Sequence, residues 1–195
     1  MTGTIDELYF GGTLVRFIHG KPMEHLSTGL YVGANGQGVM AAGLPAEIRR
    51  AAGAEVEREL RGHGELRVGR SYLTGSGQLA ARGVSAIAHG VVVASPGESA
   101  TLDRSISALL DGLRLLEDAG CRAVTVPQIG WRVASLDPTV AAAELGRVVI
   151  THLRRNSRLE SISIVSMQRD YLNAAVVSCK RYILLDRQSG DKGVS

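Results

Sequence analysis

Only two cysteines occur in the 195 residues, Cys121 and Cys179, and neither has a second cysteine at CxxC distance. That excludes a disulfide framework and a zinc ribbon. It leaves two reduced residues whose expected place is the interior. No apolar run approaches the roughly 20 residues of a membrane-spanning helix, so no membrane partner is expected. Asp6 and Glu7 stand where a secretory signal would be basic and then apolar, so a cytoplasmic location is the expectation. Neither HExxH nor GxSxG is present, and His19, His25, His63, His89 and His152 show no metal-ligand spacing. No metal or cofactor is therefore expected. Gly20-Lys21 is followed by Pro22, not by the Ser or Thr of a phosphate-binding P-loop. An excess of one charge is also missing: 22 Lys and Arg face 19 Asp and Glu, dispersed along the chain. The densest basic group, Arg154-Arg155-Asn156-Ser157-Arg158, falls at an expected helix end, where cations complement the dipole. Nucleic acid is accordingly not an expected partner.

What is present is the composition of one soluble globular domain, 45% hydrophobic and 21% charged. Strands are expected near Leu8–Phe10, Leu14–Ile18, Leu30–Val32, within Leu66–Gly77, at Val84–Val93, Ala123–Val126 and Ser161–Val165. Helices are expected from near Pro45 through Leu60, from Leu102 after the cap Thr101, from Pro138 after the cap Asp137, and over Tyr171–Leu185. Alternating strands and helices, with two near-continuous β-branched runs, call for an α/β fold. Its sheet should be mixed and mostly parallel, with helices on both faces. Residues 1–186 form the domain, and 187–195 read as a disordered tail. His89, inside an apolar strand, reads as a hydrogen-bonded core residue.

The stretch Leu30–Gly53 is the most informative. A short apolar strand runs through Gly33-Ala34-Asn35 into a glycine-broken turn, then into a helix with Ile48, Ala52, Val56 and Leu60 on one stripe. Loop amides and first-turn helix N–H groups without backbone partners make such a unit a common anion site. Gly36-Gln37-Gly38-Val39-Met40-Ala41 fits GxGxxA, but the acidic residues about 20 positions on, Glu55 and Glu57, fall inside the helix. A dinucleotide fold would need one at the end of a second strand.

Asn35, Gln37-Gly38-Val39-Met40, Gly43-Leu44 and Ile48-Arg49-Arg50-Ala51-Ala52-Gly53 together resemble the first ligand loop of the macro domain family of ADP-ribose-binding modules. Gly69–Leu79 with Ala86-Ile87-Ala88-His89 resembles a second family segment. Pro127 through Pro138 resembles the loop that wraps the diphosphate, and Ile162–Tyr171 the last strand and the adenine border. The ordered set spans roughly residues 14–186 and implies a three-layer α/β/α fold. It also implies a ligand, ADP-ribose or a similar nucleotide diphosphate, free or on an ADP-ribosylated macromolecule. Asn35 would contact the distal ribose. Gly38, Val39, Met40, Gly43 and Leu44, with Gly130, Trp131, Arg132, Val133 and Ala134, would surround the diphosphate. Gly20, Lys21 and Met167 would border the base.

The departures shape the functional expectation. Lys21 replaces an Asp whose carboxylate accepts from the adenine amino group, and an ammonium cannot accept. Val32 and Gly33 precede Asn35 where the family has NAAN. Leu44-Pro45 stands where hydrolytic members carry a polar group. In the second loop only Gly130 remains of the glycines, and Arg132 reads either as a phosphate contact or as a plug. Trp131 reads as a stacking or packing residue, and Met167 as a soft apolar contact or core. Three functions stay open: a binding module; a hydrolase of ADP-ribosyl or phosphorylated ADP-ribose compounds using Asn35; and an interaction module with a closed cleft.

Overall fold

The protein, as a computed structural model, is described over residues 2–129 and 136–190. Seven strands form one sheet: β1 (Gly3–Phe10), β2 (Thr13–His19), β3 (Gly29–Asn35), β4 (Ser71–Thr74), β5 (Ala86–Val93), β6 (Ala123–Pro127) and β7 (Ser161–Ser166). Their order is β1-β2-β7-β6-β3-β5-β4. The five inner strands are parallel, and β1 and β4 close the two edges antiparallel. The inner strands read as apolar runs because both faces are covered. Across β5 only Val92 escapes full burial.

Five helices complete the chain: α1 (Gly43–Ala52), α2 (Ala54–Gly62), α3 (Leu102–Asp118), α4 (Pro138–Leu153) and α5 (Arg169–Gly190). One face of the sheet packs with α3, α4 and α5 around Tyr31, Leu109, Leu113, Leu145 and Ile164. The other packs with α1 around Leu30, Val32, Ile48, Ala52, Val56 and Leu79. The sheet thus separates two helical layers, the three-layer α/β/α arrangement expected. Thr101 caps α3 by accepting from Arg104 N–H at 3.3 Å, and Asp137 caps α4 by accepting from Thr139 N–H at 2.8 Å.

Two expectations are corrected. The helix after β3 is two helices, because Gly53 sits at φ +103° between them. The stripe Ile48, Ala52, Val56, Leu60 is nonetheless fully buried, since a bend between helices keeps the same face inward. The last helix continues through Gly190, over residues 187–190 assigned to the tail; nothing in Arg187-Gln188-Ser189 breaks a helix. Residues 191–195 lie outside the described residues.

Cys121 and Cys179 are free and buried, as expected. Burial pushes the Cys179 thiol up to about 12, and it donates to Gly146 O at 3.6 Å between α4 and α5. His89 is 1% exposed, with Nε2 2.9 Å from Thr74 Oγ1. Thr74 Oγ1 also donates to Gly75 O at 2.9 Å. Burial, reinforced by His63, pushes His89 down to about 3, and the ring stays neutral.

Candidate functional site

A cleft of about 620 Å³ opens where β3, β5, β6 and β7 end, the side of a parallel sheet on which ligands bind. Its walls are mostly apolar: Tyr31, Val39, Leu44, Val93, Ile129 and Val165 among them. Among the described residues no Asp, Glu, Lys, Arg or His lines it. Among the described residues, polar side chains line it only as Asn35, Ser105, Gln128, Ser166 and the Tyr31 phenol. Tyr31 forms part of the floor beneath β3, its phenol held far above its usual range by complete burial. Gly90 and Gly112 leave the room its ring occupies, for a Cβ at either would overlap it.

Asn35 ends β3 at a register shift. Its side chain closes its own loop: Oδ1 accepts from Gln37 N–H at 3.2 Å and Val39 N–H at 3.1 Å, while Nδ2 donates to Val39 O at 2.8 Å. One amide N–H remains uncommitted. Gly36 N–H donates to Val93 O at 2.8 Å and Gly38 N–H to Asn35 O at 2.9 Å. A Cβ on Gly36 would stand 2.8 Å from Ala94 O, so only glycine fits that approach. Met40 N–H donates to Glu57 Oε1 at 2.8 Å, and Glu57 is itself held by Arg49 at 2.6 Å.

Of the Gly38–Leu44 amides expected around the diphosphate, those of Gly38, Val39 and Met40 are spent within the protein, as are those of Gly36 and Gln37. Among the described residues the N–H groups of Ala41, Ala42, Gly43 and Leu44, at the start of α1, have no partner. Ala42 is the N-cap, and its methyl offers no capping oxygen. All four residues line the cleft.

Asn35, Val39, Gly43, Leu44 and Met167 all line the cleft. Gly38 and Met40 do not line the cleft: Gly38 packs on Arg61 and Leu66, and Met40, 2% exposed, belongs to the core beside α1. Gly20 and Lys21 also lie off the lining. Gly20 donates to Ser166 O at 3.1 Å and packs on His25, and Lys21 is exposed just before Pro22. Met167 is 54% exposed, at the rim and not in the core. The expectations for Gly130, Trp131, Arg132, Val133 and Ala134 fall outside the described residues. The approach to that segment is held by Tyr171, whose Oη accepts from Ile129 N–H at 3.0 Å.

Sequence reasoning missed Gln128 and Ser166. Ser166 Oγ donates to Gln128 Oε1 at 2.7 Å, Gln128 Nε2 donates to Gln168 Oε1 at 3.0 Å, and Gln168 N–H returns to Ser166 Oγ at 2.9 Å. The only available signal was their position just beyond β6 and at the end of β7, where parallel strands deliver ligand-facing groups.

Residues 33–145 match the family model of the Macro domain. An uncharacterized protein of Aquifex aeolicus is 27% identical over 143 residues, covering 72% of this chain and 82% of its own. Among solved structures, the Oceanobacillus iheyensis macrodomain with ADP superposes with a TM-score of 0.76 at 18% identity, covering 94% of this chain and 98% of that one. A point mutant of that macrodomain with ADPR gives 0.75 at 19%, covering 91% and 98%.

Proposed function

The chain belongs to the macro domain family, and on that premise we propose that it binds ADP-ribose or a related nucleotide diphosphate in the cleft at the start of α1. The observation that carries this reading is that Ala41, Ala42, Gly43 and Leu44, whose N–H groups have no partner among the described residues, line a cleft with no carboxylate in its described lining. A helix N-terminus concentrates positive potential, and a diphosphate supplies the acceptors those amides lack. Each such charged hydrogen bond contributes about 1.5–3 kcal/mol. The apolar walls accommodate the sugar and base, while the remaining Asn35 N–H serves a ribose oxygen. In this reading the Gly130–Ala134 amides and the Arg132 guanidinium add phosphate contacts from the segment after Ile129.

The reading is that of a binding module. A hydrolase would need Asn35 to accept a hydrogen bond from the attacking water, and its Oδ1 already serves Gln37 and Val39. Calorimetric titration of the protein with ADP-ribose, ADP and UDP-glucose tests the proposal. Saturable heat with ADP-ribose or ADP is expected. No heat with any of the three at millimolar concentration would refute it and leave the interaction module. Release of ADP-ribose from a modified protein, abolished by Asn35→Ala, would establish the hydrolase instead.

A further inference from the structure

The cleft carries two kinds of chemistry, separated by the strand order. The donor amides lie at α1, directly after β3. Gln128, Val165, Ser166 and Met167 lie at the ends of β6 and β7, one and two strands away, and Pro22 follows β2 beyond them. At the strand spacing of about 4.8 Å, β7 stands about 10 Å from β3. A phosphate held at α1 has room for its nucleoside toward this far end. There the walls offered by Pro22, Val165 and the exposed Met167 are apolar, as a flat heterocycle requires.

The hydrogen-bond ring at this end fixes how its amide is presented. Ser166 Oγ accepts from Gln168 N–H and gives its own proton to Gln128 Oε1. Gln128 Nε2 is thereby directed at Gln168 Oε1. Each half of the Gln128 amide keeps one uncommitted position: a lone pair on Oε1 and an N–H on Nε2. A donor beside an acceptor is the pattern with which a glutamine reads a base edge.

We propose that Gln128, oriented by Ser166 and Gln168, is the base-reading residue of this cleft. Its ligand class is accordingly nucleoside diphosphates that include the oxo bases hypoxanthine, guanine and uracil, not adenine alone. At the 6-position a carboxylate can only accept and has nothing to offer an oxygen there, whereas an amide both accepts and donates. The inference rests on the binding reading above, because it places the base by reference to a phosphate at α1.

The test is titration of wild type, Gln128→Glu and Gln128→Leu with ADP and IDP, which differ in amino against oxo at the purine 6-position. Wild type is expected to bind both within about tenfold of each other, since a 6-amino group can donate to the free Oε1 lone pair and a 6-oxo group can accept from the free Nε2 N–H. Gln128→Glu is expected to move the ratio at least about tenfold toward ADP, and Gln128→Leu to weaken both ligands alike. Ser166→Ala, which frees the amide, is expected to weaken both about threefold or more, with Gln128 itself intact. Melting curves verify that each variant is folded. A wild-type preference for ADP above about 100-fold overturns the inference, as does a ratio within about twofold of wild type in Gln128→Glu. In both cases binding persists, so the parent reading stands. Absence of binding by ADP, IDP and ADP-ribose to wild type overturns both.

Discussion

Two clefts of comparable size occupy this small domain, and they differ in how their polar groups are used. The first, at the strand ends, has no charged side chain among the described residues of its lining, yet four backbone donors have no partner. The second, about 450 Å³ along α3, is lined by Arg70, Arg114, Arg155, Arg158, Asp111, Glu117 and His152. Its charges mostly answer one another. Asp111 takes Arg114 at 2.9 Å and Arg70 at 3.4 Å, Arg158 meets Asp118 at 2.8 Å, and His152 Nε2 lies 2.8 Å from Glu117 Oε2. Glu117 also accepts from Ser157 Oγ and Arg158 N–H, each at 2.6 Å, and so ties the Arg154–Arg158 turn to α3. An abundance of charge marks the structural cleft, and unmet hydrogen-bonding capacity marks the candidate ligand site.

The sharpest way to break this contrast is to satisfy the open amides from within. Ala42→Asp places a carboxylate at the N-cap of α1, in reach of Leu44 N–H and in competition with phosphate. Ligand affinity should fall by about 2 kcal/mol or more, while stability rises by about 0.5–1 kcal/mol. Calorimetry and thermal melting read the two opposite signs; loss of both would contradict the assignment. In the second cleft, Glu117→Ala leaves two part-buried donors without their acceptor and removes the carboxylate beside His152. It should destabilise by about 2 kcal/mol with nucleotide affinity unchanged, as measured by urea unfolding and titration. A smaller effect is expected from Asn35→Ala, which removes three loop hydrogen bonds at a half-buried site. Stability should drop by about 1 kcal/mol, and affinity should weaken only as far as the loop loosens, seen as a change in hydrogen exchange at Gly36–Val39.

The mildest perturbation is pH. Burial opposes the charge on Glu117, but the hydrogen bonds from Ser157 and Arg158, with His152, outweigh it and hold its carboxyl below the usual range. Burial likewise lowers His152 against the pull of Glu117. Both folded values are depressed, so both contributions are present above the unfolded values and are lost as pH falls. His152 should act from about pH 6.5 downward and Glu117 from about pH 4.5 downward. Melting temperature followed from pH 7 to 4 should decline. His152→Gln should flatten the upper part of that decline, and an unchanged curve would remove His152 from the account.

Much of the scaffold was legible because its signals are local. The runs at Val84–Val93 and Ser161–Val165, the caps Thr101 and Asp137, and the stripe Ile48-Ala52-Val56-Leu60 each depend on neighbours within a turn or a strand. The ordered loop segments then identified the family. The placement of donors was less legible. Asn35, Gly43 and Leu44 line the cleft, whereas Gly38 and Met40 do not. Whether the Met40 amide is open depends on Glu57, seventeen positions on and across a helix break at Gly53. Lys21 drew notice as a lost carboxylate, while Gln128, forty positions from Gln168, gave no sign of the ring it completes.

The sequence by itself therefore determined the element order, the buried faces and the family, because periodicity, capping and glycine placement act over short stretches of chain. Tertiary structure alone decided which polar groups remain unsatisfied, and so where a ligand can be held. A hydrogen-bonding group is open or spent according to partners that only the folded sheet brings within 3 Å.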